Sequence, residues 1–74
     1  MLLGVSLRGL RESMGMNPFD LADEARCPVE VLLRAEFGIA LPRGDLRGRL
    51  AAAYRLPVSD YVRLALDAAE RAAG

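Results

Sequence analysis

Residues that stop and start helices recur at short intervals in this chain: Gly15 followed by Asn17-Pro18, then Pro28, Gly38, Pro57 and Ser59. Glycine supplies the left-handed residue that closes a helix; asparagine, serine, or proline at the first helical position opens one. Between the breaks, apolar residues fall at helical spacing. No stretch alternates apolar and polar side chains for long, and β-branched residues are sparse. The expected class is therefore all-α, with residues 1–74 forming one domain of five helices.

The first helix is predicted over residues 6–14, with Ser6 as N-cap, Leu7, Leu10 and Met14 inward, and Gly15 just past its end. The second begins at Pro18 behind the Asn17 cap, turns Leu21, Ala22 and Ala25 inward, and carries Asp20 near its positive end. A short break at Arg26 and Cys27 follows. Pro28 opens the third helix, which runs to Phe37, stops at Gly38 and buries Leu32 and Ala35. Residues 39–43 read as a loop. The fourth helix covers residues 43–55, with Leu46, Leu50, Ala53 and Tyr54 as its apolar positions. The fifth follows a Ser59 cap and reaches residue 72, with Tyr61, Leu64, Ala65 and Ala68 on its apolar face. The core is expected around Leu10, Leu21, Cys27, Leu32 and Leu50.

Composition narrows function. The ten basic residues, all arginine, are balanced by ten acidic ones. A neutral chain lacks the general positive field of most nucleic-acid binders, so any phosphate contact has to come from a local patch. Cys27, the only cysteine, has neither a disulfide partner nor a histidine with which to bind metal, and reads as a small buried hydrophobe. No apolar run is long enough to span a membrane. The apolar start, residues 1–5, has no basic segment before it, so no signal peptide is expected, and the cytoplasm is the expected compartment. With no histidine, no serine or cysteine beside a base and no phosphate loop, neither an enzyme nor a cofactor is expected. Asp20, Asp23 and Glu24 read as a solvated acidic face.

Two helices separated by a short break, the second and third here, have the spacing of a helix-turn-helix. Leu10-Arg11-Glu12, the capped Asn17-Pro18-Phe19-Asp20-Leu21-Ala22, and Arg34-Ala35-Glu36-Phe37-Gly38 follow in order. So do Leu50-Ala51-Ala52-Ala53-Tyr54 and Val58-Ser59-Asp60-Tyr61. In this the chain resembles the phage-repressor-like family of lambda repressor, Cro and the xenobiotic-response-element regulators, over residues 7–62. The resemblance implies a five-helix lambda-repressor-like DNA-binding domain, a transcriptional regulator acting on double-stranded DNA. It also implies an ion pair between Arg11 and Glu36.

On the same resemblance, the base-reading positions fall on Val29, Glu30 and Arg34, with Leu33 beside them. Asn17 and Arg43, with Arg26 or Arg47, would supply further contacts. The chain departs from the family in three ways. Val29, Leu33 and Phe37 form an apolar stripe where polar residues are usual. Ile39, Ala40 and Leu41 stand where lysine or arginine is frequent. Arg26 holds a turn position often occupied by glycine. A second reading follows: the scaffold serves as a protein-interaction or dimerisation module through Val29, Leu33, Phe37, Ile39 and Leu41. The fifth helix, with Ala65, Ala68, Ala69 and Ala72, either forms a homodimer surface or closes the monomer core.

Overall fold

The computed structural model describes residues 5–74, which form five helices and, among the described residues, no strand. The apolar start, apart from Val5, lies outside them. The helices are α1 (Leu7–Ser13), α2 (Pro18–Ala25), α3 (Val29–Glu36), α4 (Gly44–Ala53) and α5 (Val58–Ala73).

Caps set the first two starts. Ser6 Oγ accepts the Gly9 N–H at 2.9 Å, and Asn17 Oδ1 accepts the Asp20 N–H at 2.9 Å. Two predicted boundaries shift. The fourth helix stops at Ala53 rather than at Arg55, because Arg55 adopts a left-handed conformation at φ 61°. Ser59 lies inside α5 and does not cap it. Pro57, held at φ −58° by its ring, already supplies the extended residue that precedes a helix.

Four helix ends close with the same pair of backbone hydrogen bonds, the Schellman arrangement. In the outer bond, Met16 N–H donates to Arg11 O at 3.2 Å, Cys27 to Ala22 at 3.1 Å, Ile39 to Arg34 at 2.8 Å and Leu56 to Ala51 at 2.9 Å. The residue before each donor is left-handed: Gly15, Arg26, Gly38 and Arg55. Each corner satisfies two of the orphan carbonyls at its helix end and lets short helices fold back on one another.

The core is the shared interior of all five helices. Leu7, Leu21, Leu32, Leu50, Tyr61 and Leu64 are fully buried, and the rings of Tyr54 and Tyr61 lie 5.7 Å apart in a tilted pair. α2 packs on α3 and α4, while α5 spans α1, α3 and α4. Leu10 and Cys27, expected at the centre, are only half buried at its edge. Leu7 takes the central place on α1, and Cys27 sits at a corner, where only one side can be covered. On α5, Ala65 and Ala68 face this core, Ala69 is half buried and Ala72 is exposed. Two of the four small residues thus help to close the core. Among the described residues, no helix is long and apolar enough to cross a membrane.

Candidate functional site

α2 and α3 are joined at Arg26 (φ 56°, ψ 49°), Cys27 and Pro28 (φ −62°, ψ 144°). The left-handed residue reverses the chain and proline sets up the entry to α3 without a side-chain cap. Leu32 and Ala35 seat α3 on the core. A helix fixed by those two residues turns Glu30 and Arg34 to solvent one turn apart. Glu30 and Arg34 make no ion pair among the described residues, so both head groups are available.

Val29 and Leu33, expected on this outer face, are half buried and packed against the core. This corrects the sequence reading. The inward stripe of α3 is wide enough to take in both flanking residues, as is usual for a helix covering a core. Leu41 is likewise drawn in. The continuous surface expected from Val29, Leu33, Phe37, Ile39 and Leu41 is therefore broken. Only Phe37, 58 % exposed, and Ile39, 71 % exposed, remain fully outside. Beside them runs a shallow groove of about 210 Å³, lined by Val31, Arg34, Ala40, Leu41, Pro42 and Leu46.

The flanking residues divide in role. Asn17 is exposed; its carbonyl caps α2, and its amide NH₂ has no partner among the described residues. Arg43, also exposed, is the residue before α4. Arg47 is committed elsewhere: its Nε donates to Pro42 O at 3.0 Å and closes the loop between α3 and α4. Phe19, 65 % exposed, and the acidic Asp20, Asp23 and Glu24 cover the outer side of α2.

Behind α3 lies an ionic tie. Arg11 meets Glu36 through two parallel hydrogen bonds, Nε to Oε2 at 2.9 Å and Nη2 to Oε1 at 3.1 Å. The two side chains are 8 % and 2 % exposed. The remaining Arg11 amino group donates to Met16 O at 3.2 Å, and the Tyr54 hydroxyl donates to Glu36 Oε2 at 2.5 Å. Burial pushes the Tyr54 hydroxyl pKa well above its ordinary value, and the bond to the carboxylate adds to the shift, since only the protonated form can donate. The participation of Tyr54 is absent from the sequence reading, in which it was only an apolar position on the fourth helix. The tie fixes the roll of α3, and with it the direction in which Glu30 and Arg34 point.

No family model, no curated protein and no solved structure matches this chain. Among the described residues, no group of side chains is placed to hold a metal ion.

Proposed function

We infer that the domain binds duplex DNA as a helix-turn-helix transcriptional regulator, with α3 as the reading helix. The observation that carries this reading is the outer face of α3, where Glu30 and Arg34 are exposed and unpaired while the apolar Val29 and Leu33 are withdrawn. Arg34 has the planar fork that pairs with the N7 and O6 of guanine, and Glu30 accepts from the N4 amine of cytosine. Asn17 and Arg43, at the starts of α2 and α4, are suited to phosphate. The left-handed Arg26 supports the reading, since it reproduces with arginine the turn the family makes with glycine.

The neutral charge and the acidic side of α2 limit the phosphate term, so affinity should depend on few ionic contacts. Two or three of these give a slope of log K against log salt of about −2 to −3. A titration against random-sequence duplex at low and moderate salt tests this directly. Arg34→Ala should flatten sequence preference, and Arg43→Ala should weaken binding to all sequences alike. Absence of binding at low salt would refute the reading.

The exposure of Phe37 and Ile39 favours a second reading, in which the end of α3 meets a protein or a second copy of the chain. Phe37→Asp would then abolish association and leave helicity unchanged, because an unpaired charge is not accommodated in an apolar contact.

A further inference from the structure

The arginine corners lie on the same side of the molecule. The ends of α2 and α4 enclose an open hollow of about 490 Å³, lined by Glu24, Arg26, Arg49, Ala52, Ala53 and Arg55. Three arginines and one glutamate line it, and a second carboxylate, Asp45, is paired with Arg49 beside it. None of the outward residues of α3 lines it.

The three arginines are not equivalent. Arg49 is anchored: its Nη1 donates to Ala25 O at 3.2 Å and Arg26 O at 2.6 Å, meeting the negative end of α2. Its Nε lies 3.1 Å from Asp45 Oδ2 in an ion pair without an aligned hydrogen bond. No hydrogen bond among the described residues uses its Nη2. Arg26 and Arg55 are exposed, and among the described residues neither makes a side-chain hydrogen bond or an ion pair. If neutralising the helix ends were their whole role, they too would bond to carbonyls, as Arg49 does. Instead, two left-handed corners, where glycine costs least, each carry a free guanidinium at the rim of one cavity.

We propose that this hollow is a binding site for a phosphate-bearing anion of two or more charges. Guanidinium presents a planar fork of donors that matches phosphate oxygens in pairs, and several such forks around one cavity favour a multiply charged ligand over a single carboxylate. Of the three arginines lining the hollow, only Arg26 also enters the DNA reading; Arg49 and Arg55 do not, and Arg34 and Arg43 do not line it.

The test is a calorimetric titration of the intact domain with inorganic pyrophosphate at constant ionic strength, with nitrogen–proton NMR spectra recorded alongside. A one-site curve is expected, with shifts concentrated in the Arg26, Arg49 and Arg55 side chains. The double variant Arg26→Gly/Arg55→Gly removes both free guanidiniums and relaxes both corners, so it should fold while binding about tenfold or more weakly. Arg34→Ala/Arg43→Ala should bind within about twofold of the parent, because those charges lie outside the hollow. Non-saturable binding, an unchanged double glycine variant, or equal loss in Arg34→Ala/Arg43→Ala would overturn the assignment. The source of the phosphate is read from duplex DNA. If the glycine variant also loses duplex affinity, the phosphate belongs to a nucleic-acid backbone; if duplex affinity is untouched, to a soluble ligand. A domain that binds pyrophosphate but no duplex refutes the DNA reading and leaves the hollow in place.

Discussion

The corners that end α1 and α3 turn on glycine, at Gly15 and Gly38, whereas those that end α2 and α4 turn on arginine, at Arg26 and Arg55. The backbone hydrogen bonds are the same in all four, so only the surroundings of a corner can demand glycine, and they do so at Gly38 but not at Gly15. A Cβ on Gly38 would overlap the Ala68 carbonyl of α5, while one on Gly15 would meet nothing within 4 Å. The glycine corners are also tied through the interior, since Arg11 holds Met16 O at one and Glu36 just before the other. The arginine corners face an open hollow, with Arg49 gripping the end of α2 from α4. Where a corner is pressed against another element, glycine is a packing requirement. Where it opens to solvent, the left-handed turn carries only its intrinsic cost, and a functional side chain can occupy it.

The largest test of this contrast removes the interior tie. Glu36→Ala leaves the buried Arg11 guanidinium without its carboxylate and the Tyr54 hydroxyl without its acceptor. It should cost about 3–5 kcal/mol in chemical denaturation. In a domain whose whole stability is of order 5–15 kcal/mol, that approaches unfolding. The double change Arg11→Met/Glu36→Leu should cost well under the sum of the single changes, since it removes both charges together. Additivity would mean that the pair does not couple the corners. Next comes Gly38→Ala, which has to push α5 away from the end of α3 and should cost about 3 kcal/mol. A loss below about 1 kcal/mol would show that this corner is as open as the others.

The all-helical class, the inward residues Leu21, Leu32 and Leu50, and the caps Ser6 and Asn17 were legible in the sequence. Each depends on local spacing or on one side chain reaching a nearby backbone N–H. The roll of α3 was not. Whether Val29 and Leu33 point inward depends on how wide a stripe the core accepts and on the Arg11–Glu36–Tyr54 tie, both of which are long-range. Tyr54 was read by its apolar ring, and its hydroxyl gave no signal of a partner eighteen positions away. Arg26 was recognisable as an arginine at a glycine-favouring turn. Arg49 and Arg55 were missed, although one signal was available: Arg26-Cys27-Pro28-Val29 and Arg55-Leu56-Pro57-Val58 share the order arginine, apolar, proline, valine. That repeat marks equivalent corners, but only the packing of α2 on α4 brings them to one cavity.

Gly15→Ala should cost about 1 kcal/mol, because a left-handed alanine is strained even in open space. Its deficit relative to Gly38→Ala measures the packing share of the glycine requirement. If the two variants lose equal stability, the overlap with Ala68 is relieved at no cost and the contrast between corners fails.

Arg26→Gly should produce the smallest change, and in the opposite direction. A left-handed residue with a Cβ carries a strain of about 1–2 kcal/mol, which glycine removes. Glycine also frees the unfolded chain, which costs back about 0.5–1 kcal/mol. Because the guanidinium of Arg26 makes no hydrogen bond or ion pair among the described residues, nothing else should be lost. The Arg26 carbonyl that accepts from Arg49 is backbone and stays in place. Stability should hold or rise by up to about 1 kcal/mol, read as the urea midpoint at unchanged slope. Arg26→Val should fall by about 1–2 kcal/mol, since a β-branched residue is poorly accommodated at positive φ. If Arg26→Gly destabilises as much as Arg26→Val does, the arginine is holding the monomer together. The open corner would then be structural, and the contrast with Gly38 would lose its meaning.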